Sequence, residues 1–333
     1  MRYLNVLVVL ILVSSGCNRT PHLVENTGNA QGSTYQIKYV TTRNVDFGED
    51  IKTIFRDIDL SMSTWVSNSV ISQVNEGGTW VEADPMFMEV LDRSLEIARE
   101  SDGDFDPTVG PLVRLWGFWF DEQKTQVTDD QVTAALELVG FEQVEIEGNK
   151  VRIPENRTID FNAIAQGYTV DYIAEFLESN GIDRYMVEVG GEVRARGLND
   201  KNSVWVIGVD KPQDTIDTED RFQFILKLEN AAIATSGNYR KFWVDEESGL
   251  KYSHTIDPKT GYPAKNMLLS ASIIAPTAMD ADAYATLCMV QGLEKCSAFL
   301  DSKPEVDGYL IYADTTGNWQ ERITDGFQTY ILE

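Results

Sequence analysis

The chain has 333 residues, of which 53 are acidic and 28 basic, for a formal net charge of −25. Apolar residues make up 43% and charged residues 24%, which excludes a disordered chain and leaves material for one large domain or two lobes. The acidity argues against a nucleic-acid partner, which needs a basic footprint. It does not exclude a phosphate ligand, because a helix N-terminus or a bound metal supplies local positive charge.

Residues 1–16 read as a signal peptide: Arg2, an apolar run over 4–13, then Ser14, Ser15 and Gly16. The run is too short to cross a bilayer core of about 30 Å as a helix. Cys17 follows the small residues as in a bacterial lipobox, although Ser14 stands where Leu is usual. The alternative is an ordinary signal peptide with an incidental Cys; the lipoprotein is favoured. Residues 17–32 are polar and are expected to be a lipidated tether, with the folded body spanning 33–333 in two closely packed lobes. Ser33–Thr41 alternates Tyr35, Ile37 and Tyr39 with polar neighbours, a strand pattern. Helical spacing marks 49–61, 85–100 and 128–139. Gly148-Asn149 signals a hairpin between 144–146 and 151–153. A helix is expected over 163–180. Strands follow over 184–189, 192–197, 203–209, 221–228, 231–235, 250–256 and 269–275, then a helix over 280–300 and short strands to the end. Strands outnumber helices without βαβ alternation. The fold class is therefore α+β, a largely antiparallel or mixed sheet with flanking helices. Cys288 and Cys296 fall in the last helix, about 12 Å apart. That is too far for a disulfide, so both are expected to be small core residues.

Four segments look unlike ordinary core or surface. Asp104-Phe105-Asp106-Pro107-Thr108-Val109-Gly110-Pro111 sets two carboxylates and an aromatic on a stiff frame, with Pro111 placed to start a helix. Taken alone, a plain turn between helices with Asp as a cap is the better explanation. Asp160-Phe161-Asn162-Ala163-Ile164-Ala165-Gln166-Gly167 joins a strand to a helix through small residues, where backbone N–H groups can meet a phosphate. It is not GxGxxG, so no dinucleotide fold follows. Thr235-Ser236-Gly237 precedes His254-Thr255-Ile256-Asp257-Pro258, and His254 is the sole histidine besides His22. Its ordinary titration near neutrality suits proton exchange; a buried structural histidine is the plainer reading. Asp282 and Thr286, four residues apart, share one helix face. Carboxylate and hydroxyl form a hard oxygen pair that suits Mg²⁺. Asp280 is placed to cap that helix.

No single motif identifies the chain, but the ordered series does resemble a known family. Gly32-Ser33-Thr34-Tyr35, Met62-Ser63-Thr64-Trp65, Asp106-Pro107-Thr108-Val109-Gly110-Pro111-Leu112, Ala165-Gln166-Gly167-Tyr168, Gly190-Gly191-Glu192, Thr235-Ser236-Gly237, His254-Thr255-Ile256-Asp257-Pro258 and Asp282 with Thr286 resemble the ApbE family of FAD:protein FMN transferases. The resemblance runs from about Gln31 to the C-terminus. It implies Mg²⁺-dependent cleavage of FAD at its pyrophosphate, transfer of FMN to a Thr or Ser hydroxyl of a target flavoprotein, and release of AMP. It implies metal ligands at the Ala163 backbone oxygen, Asp282 and Thr286. A further ligand position falls on Ala285, which has no side-chain oxygen. FAD contacts fall on Gln31, Trp65, Asp104, Phe105, Asp106, Asp160, Gln166 and Ile256, with Trp65 and Phe105 suited to stacking on a ring. Gln31 stands where Met is usual, and Gln166 where Lys or Glu is frequent. The family's habit of lipid anchoring fits Cys17 and a periplasm-facing place in the bacterial cell envelope, with the membrane held through the anchor.

The acceptor hydroxyl must lose a proton as it attacks. His254 and Asp282 are both candidates for the base, with a lean to His254 because a metal holds Asp282 ionised and makes it a weaker base. Two other readings keep most of the site: an FAD pyrophosphatase giving FMN and AMP, and a non-catalytic flavin-holding lipoprotein.

Overall fold

The computed structural model describes residues 20–118, 127–211, 221–237, 242–244, 251–253 and 255–332. Cys17, with the signal peptide, and His254 lie outside them. Eight strands form the main sheet: β1 (His22–Ala30), β2 (Ser33–Thr41), β3 (Tyr185–Val189), β4 (Glu192–Arg196), β5 (Ala231–Gly237), β6 (Leu268–Ala275), β7 (Asp307–Ala313) and β8 (Trp319–Ile323). Their order across the sheet follows their order in the chain, and each neighbouring pair is antiparallel. The α+β expectation is met.

Four long helices, α1 (Gly48–Met62), α2 (Pro85–Glu100), α3 (Ala165–Ser179) and α4 (Ala278–Asp301), build the larger core with one sheet face. In α1 the buried residues Ile51, Ile54, Phe55, Ile58 and Met62 recur at three- and four-residue steps, so one stripe meets the sheet. Asp84 caps α2, accepting from the N–H groups of Met86 and Phe87, and Pro85 takes the first helical position. The central strands of the sheet are buried on both sides. Successive residues of β5 and β6 point to opposite faces: Ala232, Ala234 and Ile273 join the helix side, Ile233 and Ile274 the other. That second face is covered by the hairpin of Trp205–Asp210 and Phe222–Leu228, and by the short helix Asp325–Gln328 with buried Phe327. A satellite cluster gathers Leu112, Trp116, Val132 and Ile256.

Three expectations need correction. Residues 22–30 are not tether: they are β1, paired along its length with β2 through the turn at Gln31 (φ 51°) and Gly32 (φ 74°). Two positive φ values match the twist of a tight hairpin. The strand escaped notice because it is an edge, mostly polar apart from Leu23, Val24 and Ala30, and buries too little to show an apolar period. Cys288 and Cys296 are bonded to each other, their Cα atoms 4.8 Å apart. The 280–300 helix is broken at Gly292 (φ 73°, ψ 179°), which folds the two cysteines together. Asp280 does not cap α4. Thr277 does, accepting from Asp280 N–H at 3.1 Å, while the Asp280 carboxylate pairs with Arg93 at 2.6 Å.

Candidate functional site

The strand registers bring three turns or strand ends to one end of the sheet: Gln31-Gly32, Gly190-Gly191, and Thr235–Gly237 of β5. Gly190 N–H donates to Thr34 O at 2.9 Å, tying the first two together. Gln31 hydrogen-bonds Asp59 near the end of α1. Trp65, just past that helix, is 70% exposed. Gln166 Nε2 donates to Val189 O at 3.3 Å, beside the Gly190 turn.

Asp282, in the first turns of α4, is buried against α3. Its Oδ2 accepts from Gly167 N–H at 3.0 Å. Gly167 is the reason the two helices meet so closely: a Cβ there would lie 2.2 Å from Ala278 O and 2.8 Å from Asp282 Cβ. Gly167 N–H thus goes to Asp282 rather than back to the Ala163 carbonyl four residues earlier. Burial pushes the Asp282 carboxyl up to about 7, and the Gly167 bond opposes that. A cation beside the carboxylate would act with the Gly167 bond, against burial. One turn on, Thr286 Oγ1 lies 3.1 Å from Ser236 Oγ on β5. Ala285 is fully buried in the apolar core. Among the described residues no group of three or more His, Cys, Asp or Glu is placed to hold a metal. A divalent ion here would therefore meet one carboxylate, one hydroxyl and a backbone carbonyl, a hard oxygen set of the kind Mg²⁺ accepts with water completing the shell.

The Asp104–Asp106 loop leaves α2 through Gly103 and is fastened on all sides. Asp104 Oδ1 meets Lys259 Nζ at 2.9 Å, and its Oδ2 accepts from Gln291 Nε2 at 3.0 Å. Asp106 accepts from Thr108 N–H, the Thr108 hydroxyl and Phe141 N–H. Asp160 N–H donates to Pro107 O at 2.8 Å, joining this loop to the next. The Asp160 carboxylate takes both Asn162 donors, yet burial still raises it. Ile256 pairs with Pro263 across the turn that carries Lys259 to Asp104. Trp116 Nε1 donates to Gly261 O in that turn, so this tryptophan is core. Phe105, expected to stack on a ring, is 6% exposed and belongs to the main core; the chain needs its apolar area inside, which leaves Trp65 as the exposed aromatic plate.

Gly167 and Asp282 thus come together with Thr286, Ser236 and the Gln166 turn, and Asp104, Asp106, Asp160 and Ile256 are linked through their loops. Sequence reading overlooked Ser236 as the neighbour of Thr286. It also overlooked Asp171, whose oxygens accept from Arg194 at 2.8 Å and from the first N–H groups of α4, Ala278 at 3.0 Å and Met279 at 2.8 Å. A carboxylate between Val170 and Ile173 on a buried helix face was the available signal.

A model of the ApbE family matches residues 31–310. The FAD:protein FMN transferase of Haemophilus influenzae is 33% identical over 324 residues, spanning 93% of this chain and 92% of that protein. The Vibrio cholerae FAD:protein FMN transferase is 33% identical over 340 residues, 99% of each chain. Among solved structures, the flavin transferase ApbE from Vibrio cholerae matches with a TM-score of 0.83 at 32% identity, covering 93% of this chain and 99% of that one. The apo flavinyl transferase ApbE of Pseudomonas stutzeri matches with a TM-score of 0.83 at 29% identity, covering 93% and 97%.

Proposed function

The chain belongs to the ApbE family of FAD:protein FMN transferases, and from that membership we propose Mg²⁺-dependent transfer of FMN from FAD to a Thr or Ser hydroxyl of a target flavoprotein, with AMP released. The observation that supports it most is Asp282: a buried carboxylate, pinned by Gly167 N–H, with the Thr286 hydroxyl one turn on. Asp282, Thr286 and the Ala163 carbonyl would hold the ion; Ala285 has only a backbone oxygen to offer. Bound Mg²⁺ supplies charge neutralisation on the pyrophosphate as the AMP side departs. Gln31, Trp65, Asp104, Asp106, Asp160, Gln166 and Ile256 are the FAD-facing positions, with Trp65 as the stacking ring and Phe105 lending support from the core. In the reaction the acceptor oxygen forms a new bond to the FMN phosphorus. The bond from that phosphorus to the AMP oxygen breaks, and the acceptor proton passes to a base. His254 is that base in this reading, because a cation beside Asp282 holds its carboxylate ionised and poorly basic.

The setting is the cell envelope, facing the periplasm, with a lipid on Cys17. The Cys288–Cys296 bridge supports an oxidising compartment. With β1 beginning at His22, the chain between Cys17 and the sheet reaches about 18 Å at most, which would hold the body close to the bilayer.

The test is to incubate the mature protein with FAD, Mg²⁺ and a candidate acceptor domain, then denature and look for protein-bound flavin. Labelled acceptor, lost in His254→Ala and in Asp282→Ala, is the expected result. Free FMN and AMP without label would replace transfer by hydrolysis, and intact FAD would leave a flavin holder. Full transfer by His254→Ala would remove the histidine as base.

A further inference from the structure

Helix α4 is two helices in succession. The first part carries Asp282 and Thr286; Gly292, in the left-handed region, ends it; the second part runs on to Asp301. Cys288 and Cys296 stand on either side of that break, both fully buried and joined by a disulfide. In an unbroken helix the eight-residue separation would hold their Cα atoms about 12 Å apart, so bridge and break imply each other. Gly292 alone is a weak instruction, because a glycine is tolerated inside helices at modest cost. A covalent link closing a short loop is a stronger one. Asn266 completes the junction, its Nδ2 donating to Met289 O at 2.8 Å and Val290 O at 3.4 Å, carbonyls at the end of the first part.

The residues inside the bridged loop reach toward the FAD-facing side. Gln291 Nε2 donates to Asp104 Oδ2 at 3.0 Å, and Lys295 Nζ lies 3.6 Å from the same oxygen. The other oxygen belongs to Lys259, on the Ile256 turn. One side of the Asp104 carboxylate is thus set by the clipped segment, the other by a separate part of the chain. We propose that the Cys288–Cys296 disulfide is a clip that positions Gln291, and through it Asp104, for FAD binding. The cysteines and Gln291 are positioning residues, not catalytic ones. The inference rests on the reading of Asp104 as an FAD contact.

The experiment measures FAD affinity by flavin fluorescence, with Mg²⁺ present, on the whole mature protein. It compares the parent, Cys288→Ala with Cys296→Ala, Gln291→Leu, and all three together, at a temperature where circular dichroism shows each folded. The Kd for FAD is expected to rise about tenfold in the double cysteine variant and in Gln291→Leu, the scale of losing a hydrogen bond to a charged group. The combined variant is expected to be no more than about twofold worse than either, because clip and glutamine act in series. In turnover, KM for FAD rises while kcat holds. Parent-like FAD affinity in the folded cysteine variant overturns the clip, and so do losses that multiply in the combined variant. Should the cysteine variant fail to fold, Gln291→Leu decides: an unchanged Kd there overturns the proposal. A parent that binds no FAD at all would overturn the functional reading itself, and this inference with it.

Discussion

Burial and a single backbone N–H act on Asp282 in opposite directions, and burial wins, so its carboxyl sits at about 7 rather than near 3.8. Between those values the folded, metal-free chain keeps a proton that the unfolded chain has released. Its stability therefore falls as pH rises through that window, and is fully present below it. Asp282→Asn lacks this titration. In a chelator, the melting temperature of the Asn variant relative to the parent should rise by a few degrees between pH 5 and pH 8. Adding Mg²⁺ at pH 8 should raise the parent and leave the variant where it was. A relative melting temperature flat across that range would show that Asp282 stays ionised without a cation. The glycine that makes this geometry possible was visible as one of a run of small residues, Ala163, Ala165 and Gly167. What it makes room for was not, because the Ala278 carbonyl that excludes a Cβ belongs to a helix more than a hundred residues away.

Helix α4 is held at its start by two side chains from different places. Thr277 accepts from Asp280 N–H, and Asp171 of α3 accepts from Ala278 and Met279, so three otherwise orphaned donors are satisfied. Asp171 is itself held by Arg194 of β4. Thr277→Ala removes one of these caps and should cost about 1 kcal/mol, read as a melting temperature lower by about 2 °C. No change on melting would mean that Asp171 alone secures the helix start. The helix itself was legible from its composition, and so were Asp282 and Thr286 on one face. The choice of Thr277 over Asp280 as cap was not: Asp280 has the right chemistry, but Arg93 of α2 takes its carboxylate. Nor was the break at Gly292, since a glycine inside a helical pattern is tolerated at modest cost and does not by itself mark a break.

Eight strands that neighbour one another in chain order make the sheet, and the long helices that bear Gln166, Gly167, Asp282 and Thr286 pack on one of its faces. The opposite side is closed by a hairpin and a short helix around Phe327. Phe327→Ala should cost about 3–5 kcal/mol through the cavity it leaves. Its FAD affinity, measured well below the melting transition, should match the parent, because that layer faces away from Asp282 and Asp104. A loss of FAD affinity in the folded variant would show that the far layer shapes the site through the sheet.

Apolar periodicity and turn residues were enough to read the α+β class, most element positions and the Asp282–Thr286 pair, since these depend on residues near one another in the chain, and the family was legible from the order of short motifs along it. The inward place of Phe105 and the partners of Asp104, Asp171 and Asp280 depended on contacts between distant segments, while the edge strand β1 and the cysteine bridge are local in the chain but hidden, the first by how little it buries and the second by the backbone break at Gly292. Which polar group meets which, and which aromatic stays outside, follows from how helices and loops pack. No local pattern carries that information.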